Sequence, residues 1–147
     1  MCLNDNAEKA VSLFQDGFSC SQAVLSAFSN SYGLDESTAL KISSPFGGGI
    51  GGCGNLCGAV SGALMVIGLA YGRIKADDFD AKEKCYQATN LFLKLFSEKH
   101  GSTICRELLG IDISTEDGKI LAKEKNCSRV ICDNLVRDTV LILQEIL

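Results

Sequence analysis

Residues 42–72 read ISSPFGGGIGGCGNLCGAVSGALMVIGLAYG, with no charged side chain among them. The first half is built largely of Ser, Pro and Gly, so only Leu56 to Tyr71 has the composition of an apolar helix. That stretch falls short of the ~20 apolar residues a membrane crossing needs. Gly58, Ser61, Gly62 and Gly68 also thin out its bulk. A helix that is apolar all round but too short to span a bilayer belongs inside a protein core. Gly58 and Gly62 stand one turn apart, with Ala59, Ser61 and Ala63 beside them. Another backbone, or a cofactor, can therefore come close to this face.

Helical periodicity continues on both sides of this segment. Asn6 to Gln15 puts Ala7, Ala10, Val11 and Phe14 on one face, and Gly17 is placed to end that helix. Ser19 and Gln22 form a capping box that makes Cys20 the first helical residue, with Ala23, Val24 and Phe28 as the apolar face. Asp35 caps a short helix that Pro45 terminates. Phe79 to Lys99 carries Cys85, Ala88, Phe92 and Leu95 on one stripe, and Gly101 follows it. Ser102 opens a short helix closing at Gly110, and a polar helix runs from Thr115 to Lys125. The last helix follows Ser128, with Val136, Val140, Leu143 and Leu147 inward. No segment alternates as a strand would. The expectation is an all-α, compact single-domain bundle over residues 1–147, with about six or seven helices around the buried Gly/Ala-rich central one.

Composition narrows the function. The 147 residues carry 14 Lys and Arg against 18 Asp and Glu, a net charge of −4. Without a basic patch to neutralise phosphates, nucleic acid is not an expected partner. The N-terminus MCLNDNAEKA lacks a basic region followed by an apolar stretch, so no signal peptide is read and a cytoplasmic location is expected. Eight cysteines stand against one histidine. That is below the cysteine density of a disulfide scaffold, ~8–10 %, yet more than packing requires. Cytoplasmic cysteines of this kind are catalytic, redox-sensing or metal-binding rather than structural disulfides.

The cysteines fall near helix starts. Cys20 lies in a capped first turn, Cys53 and Cys57 at the start of the central helix, Cys105 in the turn after Ser102, and Cys132 about one turn after Ser128. Helix N-termini offer unpaired N–H groups and the positive end of the dipole, so lowered thiol pKa values are expected there. Arg106 adds to this at Cys105 if its side chain turns inward. On a regular helix Cys53 and Cys57 have Cβ atoms ~5–6 Å apart, too far for the ~3.5–4.5 Å of a disulfide. They can bond only if the helix starts after Cys53, and Cys127 must likewise lie outside the helix to reach Cys132. Both spacings are near those of structural zinc ligands.

The glycine run matches G-x-G-x-x-G twice. No strand precedes it and no Gly-Lys-Ser/Thr follows, so dinucleotide and P-loop readings fail on context. It reads instead as a tight loop that brings backbone N–H groups toward sulfur or a bound anion. Cys85 sits on an apolar stripe as a small hydrophobe, Cys2 lies near the chain end, and His100 closes a helix.

These residues carry a resemblance. Cys57-Gly58-Ala59-Val60-Ser61-Gly62 resembles the CGAxxG signature of the small bacterial and archaeal C_GCAxxG_C_C proteins. Gly17 to Val24 resembles that family's N-terminal cysteine segment, and Gly47 to Gly52 its glycine run. Cys105 to Gly110 resembles its third cysteine motif, and Cys132 with Val136 its last. The resemblance implies redox activity, with Cys20, Cys57, Cys105 and Cys132 as the signature cysteines. Cys2, Cys53, Cys85 and Cys127 are extra by that comparison. The cysteine pattern is also similar to the cluster-bearing portion of split-Soret cytochromes.

Two functions follow. In the first, the four signature cysteines are catalytic in thiol–disulfide exchange with a redox partner protein or small-molecule oxidant, and Cys57 is the central participant. In the second, the same four ligate zinc or an iron–sulfur cluster for electron transfer. Cys53 and Gly58 are candidate cofactor contacts in either case. With no C-x-x-C-H, covalent c-type haem is not expected. A homodimer is one assembly the sequence allows. A plain helical binding module with incidental cysteines is the third reading.

Overall fold

The computed structural model describes residues 5–147, so Cys2 lies outside the described residues. α1 (Asp5–Gln15) places Asp5 and Glu8 at its positive end and buries Ala7, Ala10 and Val11. α2 (Cys20–Ser29) starts at the anticipated capping box: the Ser19 hydroxyl accepts from the Gln22 amide, and the Ser19 amide donates to the Gln22 side chain at 3.0 Å. Small side chains let α2 sink almost completely, and eight of its ten residues are buried. α3 (Glu36–Ser43) starts at Asp35, whose carboxylate accepts from the Thr38 amide at 2.9 Å. A 3₁₀ turn at Ser44–Phe46 follows, where Pro45 cannot continue the α-helix.

α4 (Gly58–Tyr71) is buried continuously from Gly58 to Ala63 and again at Val66 and Ile67. It begins at Gly58 rather than Leu56, because the preceding residues pair elsewhere. Leu56 bridges to Ile104, and the Cys57 amide donates to the Thr103 carbonyl at 2.8 Å. α5 (Phe79–His100) is capped by Asp78, ends at Gly101 with φ +84°, and buries Phe92 and Phe96. α6 (Cys105–Leu109) starts later than Ser102, whose hydroxyl instead accepts from the Ile104 amide at 3.0 Å. α7 (Glu116–Glu124) follows its Thr115 cap. The π-helical turn Ser128–Cys132 then leads into α8 (Asp133–Ile146).

The described residues are all-helical apart from the isolated Leu56–Ile104 bridge. α2 packs on α1, α3 and α4, while α8 closes against α1, α4 and α5. The small residues of α4 permit a close approach to α2. A Cβ added at Gly62 would stand 2.9 Å from the Ser21 carbonyl oxygen and 3.0 Å from the Val24 Cβ. Phe92, Phe96, Leu25, Ile67 and Leu143 are the largest fully buried side chains of the core. Among the described residues no helix is long and apolar enough to cross a membrane.

Candidate functional site

The loop before α4 has an uncommon backbone. Gly48, Gly49, Ile50, Gly51 and Gly52 all have φ between +57° and +75°, a continuous left-handed run. L-residues occupy this region at a cost of ~1–2 kcal/mol each, which explains glycine at every position of the run but Ile50. The turn is held from within: Gly51 N–H donates to the Pro45 carbonyl at 2.7 Å, and Gly52 N–H to that of Gly47 at 3.1 Å. Gly54 N–H reaches the Gly48 carbonyl at 3.0 Å, and Asn55 N–H that of Gly49 at 2.8 Å. The loop in turn anchors α6. The Cys105 amide donates to the Asn55 carbonyl at 2.6 Å and the Arg106 amide to the Gly54 carbonyl at 3.1 Å. Gly49 must be glycine for packing as well as for φ, because a Cβ there would lie 2.7 Å from the Cys105 Cβ.

These contacts frame a cavity of about 180 Å³. Cys20 at the start of α2, Cys57 just before α4, Cys105 at the start of α6 and Cys132 just before α8 all line it. Gly48, Gly49, Gly58 and Ser19 contribute further wall, and Phe14, Leu108, Leu109, Ile113 and Leu135 make the remainder apolar. Among the described residues no charged side chain lines it. Sequence reasoning named the four cysteines and Gly58 but not the apolar wall, because those side chains come from helices whose mutual orientation periodicity does not reveal.

Cys53 is not part of this cavity. It lies in the loop, exposed, with its thiol directed at the Gly51 carbonyl at 3.9 Å. The expected helical start at Cys53 is lost because the left-handed turn continues into that segment. Cys127 is buried, and Cys85 is half-buried against the core. Arg106 does not turn toward Cys105; it is exposed and donates to the Asn55 side-chain oxygen at 3.4 Å. His100 does close α5, but it pairs with Asp138 at 3.1 Å and packs on Phe96, outside the cavity lining.

Lowered thiol pKa values, expected for all four helix starts, hold for one. Burial pushes Cys57 up to about 11 against the opposing pull of the Val60 and Ala59 amides at the start of α4. Burial, together with the nearby Cys57 and Cys132, pushes Cys105 up to about 12. Removing a thiolate from water costs more than a helix terminus returns. The exception is Cys132, which is lowered because the neighbouring Cys20 thiol favours its anionic form, against burial and the neighbouring Asp133. The neighbouring Cys132, together with burial and the nearby Cys57 and Cys105, pushes Cys20 up.

The donor set bears on metal binding. Four thiols around one cavity are the chemistry an iron–sulfur cluster requires. Among the described residues, however, no three Cys, His, Asp or Glu side chains converge closely enough to hold a single metal ion. A lone zinc ion would need the thiols to draw together first.

Residues 18–146 match the family model described as "Putative redox-active protein (C_GCAxxG_C_C)". The chain belongs to the C_GCAxxG_C_C family. The match takes in all four cavity cysteines and ends one residue before the C-terminus. Neither curated proteins nor solved structures returned a match to the chain. The C_GCAxxG_C_C description supplies a redox character and names no reaction, which leaves the chemistry to the geometry of the cavity.

Proposed function

We propose that this protein is a dithiol–disulfide redox protein whose working couple is Cys20 and Cys132. The observation that carries this reading is that Cys20 and Cys132, far apart in the chain, line the same cavity, where each shifts the acidity of the other. Cys132 is the nucleophile because it is the sulfur whose anionic form the site favours. It sits at the end of a π-helical turn, a local irregularity often used to present a functional side chain. Cys20 is the resolving thiol. In the forward direction Cys132 attacks an oxidised acceptor, and the Cys20 sulfur then displaces the bound group to close the disulfide. Two electrons leave the sulfur pair, the acceptor takes them, and the Cys20 proton leaves with the reduced product. Cys57 and Cys105, held as neutral thiols, form the wall behind the couple. This reading moves the central role from Cys57 to Cys132.

Thiol mapping by mass spectrometry after mild oxidation tests the couple, and a Cys20–Cys132 disulfide is the expected product. That bond would close a loop of 132 − 20 = 112 residue steps, so the chain-entropy account predicts stabilisation of up to ~5 kcal/mol and a raised Tm. A disulfide that instead joins other members of the four, or an oxidised form that melts below the reduced one, would contradict the assignment.

A second reading is favoured by one observation: all four family cysteines, not two, line the same uncharged cavity. Cys20, Cys57, Cys105 and Cys132 would then hold an iron–sulfur cluster as thiolates, and it would supply one-electron transfer. Anaerobic purification with metal analysis and an absorption spectrum separates the two readings.

A further inference from the structure

The cavity selects an occupant by size and by the hydrogen bonds its wall leaves open. Its volume of about 180 Å³ is close to that of an engineered ~150 Å³ cavity that takes up one benzene ring. Phe14, Leu108, Leu109, Ile113 and Leu135 offer such a ring apolar contacts, and among the described residues no charged side chain lines the cavity to hold an ion. Cys20, Cys132, Leu108, Leu109 and Ile113 are partly exposed, so the cavity is open on one side and substituents on a ring can point toward solvent. Gly48 and Gly49 both line it, and among the described residues neither amide donates to a backbone carbonyl. Gly49 is buried, where an N–H without an acceptor is uncommon unless the site has a use for it. The acceptors around these amides are taken. The Gly48 carbonyl accepts from the Gly54 amide at 3.0 Å and that of Gly49 from the Asn55 amide at 2.8 Å, while the Ser19 hydroxyl is engaged with Gln22 and Ser21. Thiol sulfurs are only weak acceptors. A wall with free donors and occupied acceptors suits a ring that carries its oxygen as carbonyl rather than as hydroxyl.

We propose that the cavity binds a small, uncharged para-quinone, with one carbonyl oxygen on the Gly48 and Gly49 amides, and that two of the four lining thiols reduce it to the hydroquinone. The inference rests on the dithiol–disulfide reading but not on which two of the four thiols form the couple. One thiol gives up its proton and its sulfur bonds to the quinone, whose displaced electron pair moves onto the carbonyl oxygen held by the two amides. Donors already aimed at that oxygen stabilise the charge that develops there. A second sulfur, also losing its proton, attacks the first. The S–S bond forms, the C–S bond breaks, and the electron pair of the broken bond stays with the ring. Two protons end on the two oxygens, so a quinone and two thiols become a hydroquinone and a disulfide. The product carries hydroxyl donors for which the wall keeps no strong acceptor, which favours its release. A separate reductant of the disulfide-exchange class must return the disulfide to the dithiol for a second turnover.

The test uses the full chain, reduced and desalted under anaerobic conditions, with tetramethyl-1,4-benzoquinone as the probe. Its fully methylated ring has no hydrogen to lose and so cannot lock a sulfur adduct in place. Diamide, a general thiol oxidant, and anthraquinone-2,6-disulfonate, a doubly charged three-ring quinone, are run in parallel. Absorbance follows quinone loss, and mass spectrometry maps the cysteine pairing. The rate with the tetramethyl quinone is expected to saturate with its concentration and to exceed that of the same chain in denaturant at least ~10-fold. Each hydroquinone formed should match one disulfide among Cys20, Cys57, Cys105 and Cys132. The disulfonate is expected to show no advantage over the denatured chain. Added tetramethylhydroquinone should compete at least ~10-fold more weakly than the quinone binds. Should diamide join two of the four cysteines while the quinone reacts without saturation and no faster than with denatured chain, the substrate assignment falls and the dithiol reading stands. A disulfonate that matches the tetramethyl quinone would also overturn the substrate assignment. If neither diamide nor a quinone joins two of the four cysteines, the dithiol reading is refuted, and this proposal with it.

Discussion

Two glycines of α4 should respond to the same substitution with opposite signs. Gly→Ala within a helix gains ~1 kcal/mol from intrinsic propensity, so both variants start with that advantage. At Gly68 nothing lies within 4 Å of the new methyl group, and the advantage is kept. At Gly62 the methyl would meet the Ser21 carbonyl oxygen at 2.9 Å and the Val24 Cβ at 3.0 Å. Neither atom lies at the end of a flexible side chain, so α2 must move away from α4. Forcing such a shift in a packed core costs ~1–3 kcal/mol, which outweighs the propensity gain. Net destabilisation of up to ~2 kcal/mol is expected for Gly62→Ala, or a fall in Tm of up to ~8 °C for a chain of this size. Gly68→Ala should raise Tm by ~2–4 °C. Thermal unfolding of the reduced protein, followed by circular dichroism, reads both. A displaced α2 also carries Cys20 away from Cys132, so Gly62→Ala should slow disulfide formation as well. Gly62→Ala at or above the wild-type Tm would refute the claim that α2 and α4 meet too closely for a side chain.

The remaining predictions concern ionisable groups. Among the cavity thiols, iodoacetamide should modify Cys132 at lower pH than the others, with Cys57 and Cys105 following only as pH approaches about 11 and about 12. Cys20→Ala removes the neighbour that favours the Cys132 thiolate, so the Cys132 alkylation midpoint should move to higher pH; an unchanged midpoint would exclude Cys20 as the cause. His100, the single histidine, should titrate below the ordinary 6.5 in a proton NMR experiment, because burial outweighs the pull of Asp138. With the folded pKa below the unfolded one, its contribution to stability is present above 6.5 and is lost as pH falls through the folded value. A value at or above 6.5 would show the Asp138 contact winning instead.

The parts of the fold legible in the sequence are those set by contacts a few residues apart. The Ser19–Gln22 capping box, the Asp35 cap, the Gly101 terminator and the helical spans that follow need only neighbouring side chains and backbone. Errors arose where a distant segment intervenes. Leu56 and Cys57 are drawn out of α4 by Thr103 and Ile104. The orientation of Arg106 is decided by Asn55, fifty-one positions away. Thiol acidity departs from the local expectation for a related reason. A helix N-terminus is visible in a local sequence, but the burial that overrides its effect depends on the whole chain.

By itself, the sequence determined an all-helical chain with cysteines close to several helix starts, because caps and apolar periodicity act over one or two turns. It also carried the family motif. Only the tertiary structure decided which cysteines meet. Cys20, Cys57, Cys105 and Cys132 enclose one uncharged cavity, while Cys53, four residues from Cys57, remains outside it. Closing that cavity depends on a left-handed turn and on the close approach of α2 to α4, and sulfurs brought together across more than a hundred residues shift one another's acidity.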